Sequence, residues 1–281
     1  MSKSKQARSR PVPAAASPRR RKRSDLMVDE IKRWLALRQV KPGDRLPQEA
    51  PLRALFGLSK GSTREALKSL ELQGLVTLKS GPDGGATVTE APFSRTFQFV
   101  QNHLFFQGID VATIYGVRRL LEPELAASAT ADVETDTLKR LEASIELCAP
   151  APTNIEQSSR QQAEDLHFHD IIAEAAPNAL LRFNCRCINE MLRYMIVFKG
   201  SKDAARKLGQ ELRRSNLEAH RGILAAMKKH DPGRVRKLML VHIIEAEDLV
   251  KRMYGVWERR LLSDSDLEAP IPFPGVRRPA K

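Results

Sequence analysis

The sequence predicts a mainly α-helical chain: a small N-terminal unit of three helices and a hairpin, then a larger all-helical unit. Three observations carry this expectation. Apolar residues recur at three- and four-residue spacing through most of residues 25–262. A strand, turn, strand pattern occurs at residues 75–89. Pro- and Gly-bearing breaks such as Ala176-Pro177-Asn178 and Asp231-Pro232-Gly233 cut the remaining pattern into helix-length pieces.

In chain order, residues 1–24 read as a disordered basic arm, with nine Lys or Arg, no acid and no apolar run of the kind a secretory signal needs. Most of the net charge of +13 therefore belongs to the arm. Its composition suits phosphate contacts beside a DNA-binding unit, a solubilising tail, or a transit peptide. Residues 25–90 form the first unit. Leu26, Met27, Ile31, Trp34 and Leu35 mark a helix that stops at Lys41-Pro42-Gly43-Asp44. A short helix follows Pro47, directs Leu52, Leu55 and Phe56 inward and ends at Gly57; Pro51 is tolerable in its first turn. Ser59 offers an N-cap for a third helix that runs through Ala66, Leu67 and Leu70 to Gly74. The strands at 75–78 and 86–89 flank a turn rich in Gly, Pro and Asp. This order of elements is that of a winged helix-turn-helix.

Residues 91–107 read as a linker, partly helical. Residues 108–262 read as helices at 110–131, 134–147, 155–175, 178–198, 203–230 and 231–262, with a kink expected before Pro123. Residues 263–281 read as a disordered tail. No stretch has the ~20 apolar residues of a membrane span. Cys148, Cys185 and Cys187 form neither an even framework nor a CxxC pair, which fits a reducing, cytoplasmic compartment.

The segment Lys41-Pro42-Gly43-Asp44-Arg45-Leu46-Pro47, then Ser59-Lys60-Gly61-Ser62-Thr63-Arg64-Glu65-Ala66-Leu67 and Leu70-Glu71-Leu72-Gln73-Gly74-Leu75-Val76, resembles the GntR family of regulators. The resemblance implies double-stranded DNA as partner. It places contacts at Arg45, at the third-helix residues Ser59, Lys60, Gly61, Ser62, Thr63 and Arg64, and at the wing glycines Gly84 and Gly85. The chemistry agrees. A helix start with free N–H groups and short polar side chains suits a phosphate and close entry into a groove. Lys60 and Arg64 lie one turn apart, and the Arg64 fork matches guanine bidentately. The bland alternative for both is a solvated surface charge. Two features depart from the family pattern. Ala50 and Lys60 stand where Arg is usual, and the wing tip carries Asp83 instead of an Arg.

Six histidines punctuate the chain. A single His on an apolar helix face is ordinarily a satisfied core residue. However, Asp165-x-x-Phe168-His169, His220-x-x-Ile223-Leu224 and His242, together with Arg118-Arg119-Leu120-Leu121-Glu122-Pro123-Glu124 and Asn178-x-x-Leu181, resemble the helical FCD-type ligand-binding domain of the FadR branch of that family. The resemblance implies a divalent metal at Asp165, His169, His220 and His242. Three nitrogens and one oxygen suit Zn, Ni, Mn or Fe, and open positions on the ion suit a small carboxylate effector. Arg118 is the expected second anchor for that acid, or else a partner in a surface salt bridge.

Together these features predict a ligand-responsive, cytoplasmic transcription regulator, a repressor released by an organic acid, acting as a homodimer on an inverted repeat. A metal-dependent enzyme is the first alternative. No general base or nucleophile stands beside the four residues, so the expectation is that the chain is not an enzyme. A constitutive DNA-binding protein with a structural metal is the second.

Overall fold

The computed structural model describes residues 22–81, 84–104, 107, 109–195 and 202–252. The chain divides into two compact units, Met1–Gln98 and Phe99–Lys281.

The first unit contains α1 (Arg23–Leu37), α2 (Glu49–Phe56), α3 (Lys60–Leu72), β1 (Val76–Lys79), β2 (Gly85–Val88) and the start of α4 (Phe93–Leu104). Helix α1 begins at Arg23, with Lys22 as N-cap, so the last residues of the expected basic arm are already structured. Helix α2 ends because Gly57 takes a left-handed φ of 62°, a conformation with little steric cost for glycine. The Ser59 Oγ then accepts the Ser62 amide at 3.2 Å and opens α3. Along α3 the spacing of Thr63, Ala66, Leu67 and Leu70 puts all four inward, against Met27 and Ile31 of α1 and Leu52 of α2. Full burial of a Leu or Ile contributes about 1.5–3 kcal/mol, so this stripe fixes the orientation of α3.

Antiparallel β1 and β2 pair with Val76 opposite Val88 and Lys79 opposite Gly85. The segment before α2 extends the hairpin, since the Leu46 and Gly43 amides donate to Ala86 O and Val88 O, both at 2.9 Å. At the tip, a Cβ on Gly84 would lie 2.5 Å from Lys79 O and 2.7 Å from Gly81 O, so the turn itself requires glycine there. Pro82 and Asp83 lie outside the described residues. The expected linker at 91–107 contains α4, whose start docks on this unit. Phe97 is buried, and the Arg95 guanidinium donates to Glu71 O at the end of α3.

The second unit continues with α5 (Val111–Thr130), α6 (Thr135–Cys148), α7 (Ile155–Ala175), α8 (Ala179–Met195), α9 (Lys202–Met227) and α10 (Pro232–Arg252). The breaks work through named caps. Asp110 Oδ1 accepts the Thr113 amide at 2.8 Å, and Asn154 Oδ1 accepts the Gln157 amide at 2.8 Å. Arg213 Nη1 donates to Cys148 O and Ala149 O at the end of α6. Helix α5 is unbroken through the buried Pro123. Ion pairs Arg119–Glu247 and Glu124–Arg236 set α5 antiparallel to α10. On α7, Phe168, Ile171 and Ile172 are all buried and share one core with Ile223 and Met227 of α9. The three cysteines are free and buried. The expected tail at 263–281 and the end of the last expected helix lie outside the described residues.

Candidate functional site

Among the described residues, two groups carry chemistry, one in each unit. On the first unit, α3 presents Lys60, Gly61 and Arg64 to solvent, and Arg45 is exposed on the segment beside the hairpin. Arg64 is 60% exposed, and its Nε donates to Glu49 Oε2 at 3.2 Å. Glu49 opens α2, so the second helix aims the Arg64 fork. Lys22 Nζ lies 3.6 Å from Glu65 Oε1, which puts the root of the basic arm beside α3. Ser59 and Ser62 are committed first to the cap, with their hydroxyls 3.0 Å apart. Thr63, expected on the DNA-facing surface, is fully buried, with its hydroxyl donating 3.0 Å to Ser59 O. The physical reason is the inward stripe of α3, which Thr63 begins. Gly85 has φ 137° at the base of the wing, and Gly84 closes the turn with its amide donating to Gly81 O at 2.9 Å.

In the second unit, His169 of α7, His220 of α9 and His242 of α10 converge, each no more than 3% exposed. Their potential ligand atoms lie within 4.8 Å of one another. His242 Nε2 is 3.3 Å from His220 Nε2 and 3.2 Å from His169 Nε2. Imidazoles about 2.1 Å from one ion have their nitrogens about 3.0–3.4 Å apart, so this spacing fits a shared cation. Hydrogen bonding alone fits it poorly. A single Nε2–H on His242 can serve one neighbour, and the buried His242 Nδ1 has no hydrogen-bond partner.

The surroundings orient these rings. His169 Nδ1 lies 2.9 Å from Glu122 Oε2, outside hydrogen-bond geometry but close enough for the carboxylate to place negative charge behind the ring. Arg118 holds Glu122 through Nε–Oε1 at 2.6 Å and Nη2–Oε2 at 3.1 Å. It also lies over the Tyr115 ring, 4.9 Å from the centroid. Arg118 is therefore not a surface salt bridge: it is buried, and its Nε and Nη2 donate to a buried carboxylate. Burial opposes charge on Glu122, yet Arg118 and then His169 hold its carboxyl well below the usual range. The His220 ring stacks on Phe168, with centroids 3.9 Å apart.

Asp165 lies one turn before His169 but outside the close histidine group. Its Oδ2 accepts from Asn216 Nδ2 at 2.7 Å, and its Oδ1 is 3.8 Å from His220 Nδ1. A quarter of its side chain is exposed. Even so, desolvation pushes its carboxyl up to about 6, against the opposing pull of His169, Arg118 and Asn216. Burial, neighbouring histidines and Arg118 hold His220 and His242 well below the ordinary histidine range. They are neutral near pH 7, the state a metal ligand needs.

Sequence reasoning missed Glu122, Asn216 and Phe168. Glu122 stands four residues after Arg118, and Asn216 four before His220, so helical spacing was the available signal. The place of Phe168 against His220 depends on packing between α7 and α9.

A winged helix-turn-helix with an exposed Arg on its third helix, followed by a helical domain with buried histidines, defines a two-domain DNA-binding regulator. Residues 24–88 match the bacterial regulatory proteins of the gntR family, and residues 113–245 match the FCD domain. The chain belongs to the GntR family of transcriptional regulators, with an FCD domain as its second part. It is 26% identical over 219 residues to the HTH-type transcriptional regulator LutR of Bacillus subtilis, covering 75% of this chain and 94% of that one. It is 24% identical over 227 residues to the HTH-type transcriptional repressor NanR of Cronobacter sakazakii, covering 80% and 84%. A solved Streptococcus agalactiae GntR structure shares the fold with TM-score 0.55 at 20% identity, over 80% of this chain and 99% of that one. These relatives are transcription regulators, not enzymes. No helix among the described residues is long and apolar enough to cross a membrane.

Proposed function

We infer that this regulator is a metal-dependent sensor of a small organic acid, acting as a homodimer on an inverted repeat and releasing DNA when the acid binds. The convergence of three histidine Nε2 atoms from three helices carries the reading. His169, His220 and His242 would hold a divalent cation such as Zn, Ni, Mn or Fe, with Asp165 as the carboxylate donor. The ion would supply positive charge for an effector carboxylate. Arg118 takes two roles: it fixes Glu122 behind His169, and its remaining face meets the acid. Release as the direction of the switch is supported by the repressor named among the relatives. On the DNA side, Arg45, Lys60, Gly61 and Arg64 read or hold the duplex. Ser59 and Ser62 present the capped helix start, Gly84 and Gly85 shape the wing, and the basic arm adds phosphate contacts.

The acid shifts the protein only by its differential affinity for two arrangements of the helices. A coupling of about 1–3 kcal/mol changes DNA affinity roughly 5–150-fold. The test is a fluorescence titration of a labelled inverted-repeat operator with the metal-loaded protein, across a panel of organic acids, repeated after chelation. The reading expects at least one acid to weaken binding in the metal-loaded protein only. An effect that survives chelation unchanged contradicts it.

A further inference from the structure

Helix α2 carries a single cation, Arg53, to which neither the fold nor the DNA contacts above give a role. The inward stripe of α2 is Glu49, Leu52 and Phe56, with Leu52 buried and the other two half-buried. At about 100° per residue, exposed Arg53 stands about 40° from Glu49, on the flank that also carries exposed Ala50. On α3, exposed Lys60 and Arg64 lie one turn apart on the flank beside buried Thr63 and Leu67. One contact fixes how the two flanks meet: Arg64 Nε donates to Glu49 Oε2 at 3.2 Å. The helices are joined through Gly57, Leu58 and Ser59. One turn from that contact toward the join leads from Glu49 to Arg53 on α2, and from Arg64 to Lys60 on α3. The register that matches an acid with a cation therefore brings two cations together. Glu49 has the four-residue spacing that would suit Arg53, yet its Oε2 is taken by Arg64. Among the described residues, neither Arg53 nor Lys60 has an ion pair or a side-chain hydrogen bond.

We propose that Arg53 and Lys60 together grip one phosphate of the DNA backbone, which makes Arg53 a DNA-contact residue beyond Lys60 and Arg64. Two exposed cations with no acid between them repel each other, and a phosphate relieves that repulsion. The Arg53 fork matches two phosphate oxygens, and the Lys60 ammonium adds a point charge. Such a grip carries no base information. It fixes how the protein sits on the duplex, so that Arg64, one turn farther along α3, is held at the base edges. Ala50 and Ala54 are neutral, so Arg53 is the only residue through which α2 can supply positive charge to this grip. The proposal rests on the reading above that DNA lies at Lys60 and Arg64, and adds its anchor on α2.

The test is fluorescence anisotropy of the full chain on two labelled duplexes, one an operator selected from a random pool and one of unrelated sequence. Both are titrated between about 50 and 200 mM salt, with circular dichroism of each variant matched to wild type. Arg53→Gln is expected to weaken both duplexes alike, about three- to tenfold, with a shallower salt slope and unchanged base preference. Arg53→Lys keeps the charge and should recover most of that loss, which a base-reading fork would not. Arg53→Gln combined with Lys60→Gln should lose about 0.9 of slope in all, whereas two separate phosphates would cost about 1.8. Lys32→Gln, the same charge change at an exposed site on α1, should keep the wild-type slope. Wild-type affinity and slope in Arg53→Gln, no recovery in Arg53→Lys, or a loss near 1.8 in the double variant overturns the assignment. So does an equal loss in Lys32→Gln, or an altered base preference in Arg53→Gln. If Arg64→Ala still relaxes operator preference in that series, the DNA-facing surface stands and the phosphate grip alone is wrong. Wild-type binding by both Arg64→Ala and Lys60→Gln overturns the surface as well.

Discussion

The two units carry charge in opposite ways. On the winged helix-turn-helix unit Arg64 stays 60% exposed and paired with Glu49, so water screens it. In the helical unit Arg118, Glu122 and three histidines are withdrawn from water. There a charge without its partner is expensive. The difference teaches that the first unit's exposed charges contribute little to its fold, so substituting them is expected to show in DNA binding and not in stability. The helical unit couples site chemistry to its own stability. Under the proposed sensor function that coupling is required, because what binds at the site must be felt by the packing of α5, α7, α9 and α10.

The sharpest way to break this comparison is to remove matched carboxylates. Glu122→Ala strands both Arg118 and the His169 ring, and is expected to cost about 3–5 kcal/mol in urea unfolding. Glu49→Ala should cost under about 1 kcal/mol in the same measurement. Equal losses would end the distinction. On the recognition side the ranking reverses. Arg64→Ala is expected to cost about 1–3 kcal/mol of specific DNA affinity and relax preference at one base position, read by competition binding against operator variants. Glu122→Ala should leave operator preference unaltered wherever it remains folded.

Acidity gives a subtler contrast. His220 and His242 have folded-state values lowered below 6.5 by burial first and neighbouring charge second. Groups of that kind contribute stability above the unfolded value and lose it as pH falls. Asp165 has the opposite sign: its folded value, raised from 3.8 to about 6, makes stability rise as pH falls between those values. Two histidines outweigh one carboxyl. The metal-free protein should therefore lose thermal stability between about pH 7 and about pH 5, and His242→Gln should flatten that dependence. The smallest effect is at the arm. Removal of residues 1–21 should weaken all DNA sequences alike and reduce the salt slope by about 0.9 for each phosphate that the arm no longer neutralises. Lost specificity with an intact slope would show that the arm reads bases.

The surface unit was legible almost piece by piece because its signals are local. Ser59 as cap, Gly57 as stop and the apolar stripe on α3 each act within a few residues, and each element stands within a few residues of its expected place. Thr63 was misread because its polarity suggested solvent, while its place in that stripe sends it inward. Helix breaks in the second unit were equally local. The histidine centre was legible only through resemblance, since no periodicity predicts that Nε2 atoms separated by 22 and 73 positions meet at 3.3 and 3.2 Å. Arg118 illustrates the limit. Its pairing with Glu122 was readable at four-residue spacing, but its burial depended on how α5 packs.

The most direct test of the account is the metal content of the protein purified and reloaded in matched buffers, measured by inductively coupled plasma mass spectrometry. Wild type, His220→Ala and His167→Ala are compared, the last because His167 lies two residues from His169 on another face of α7. The account predicts about one divalent ion per chain in wild type and in His167→Ala, and a large loss in His220→Ala, with operator affinity retained by all three. A full complement of metal in His220→Ala, or none in wild type after reloading with Zn, Ni, Mn and Fe in turn, would contradict it.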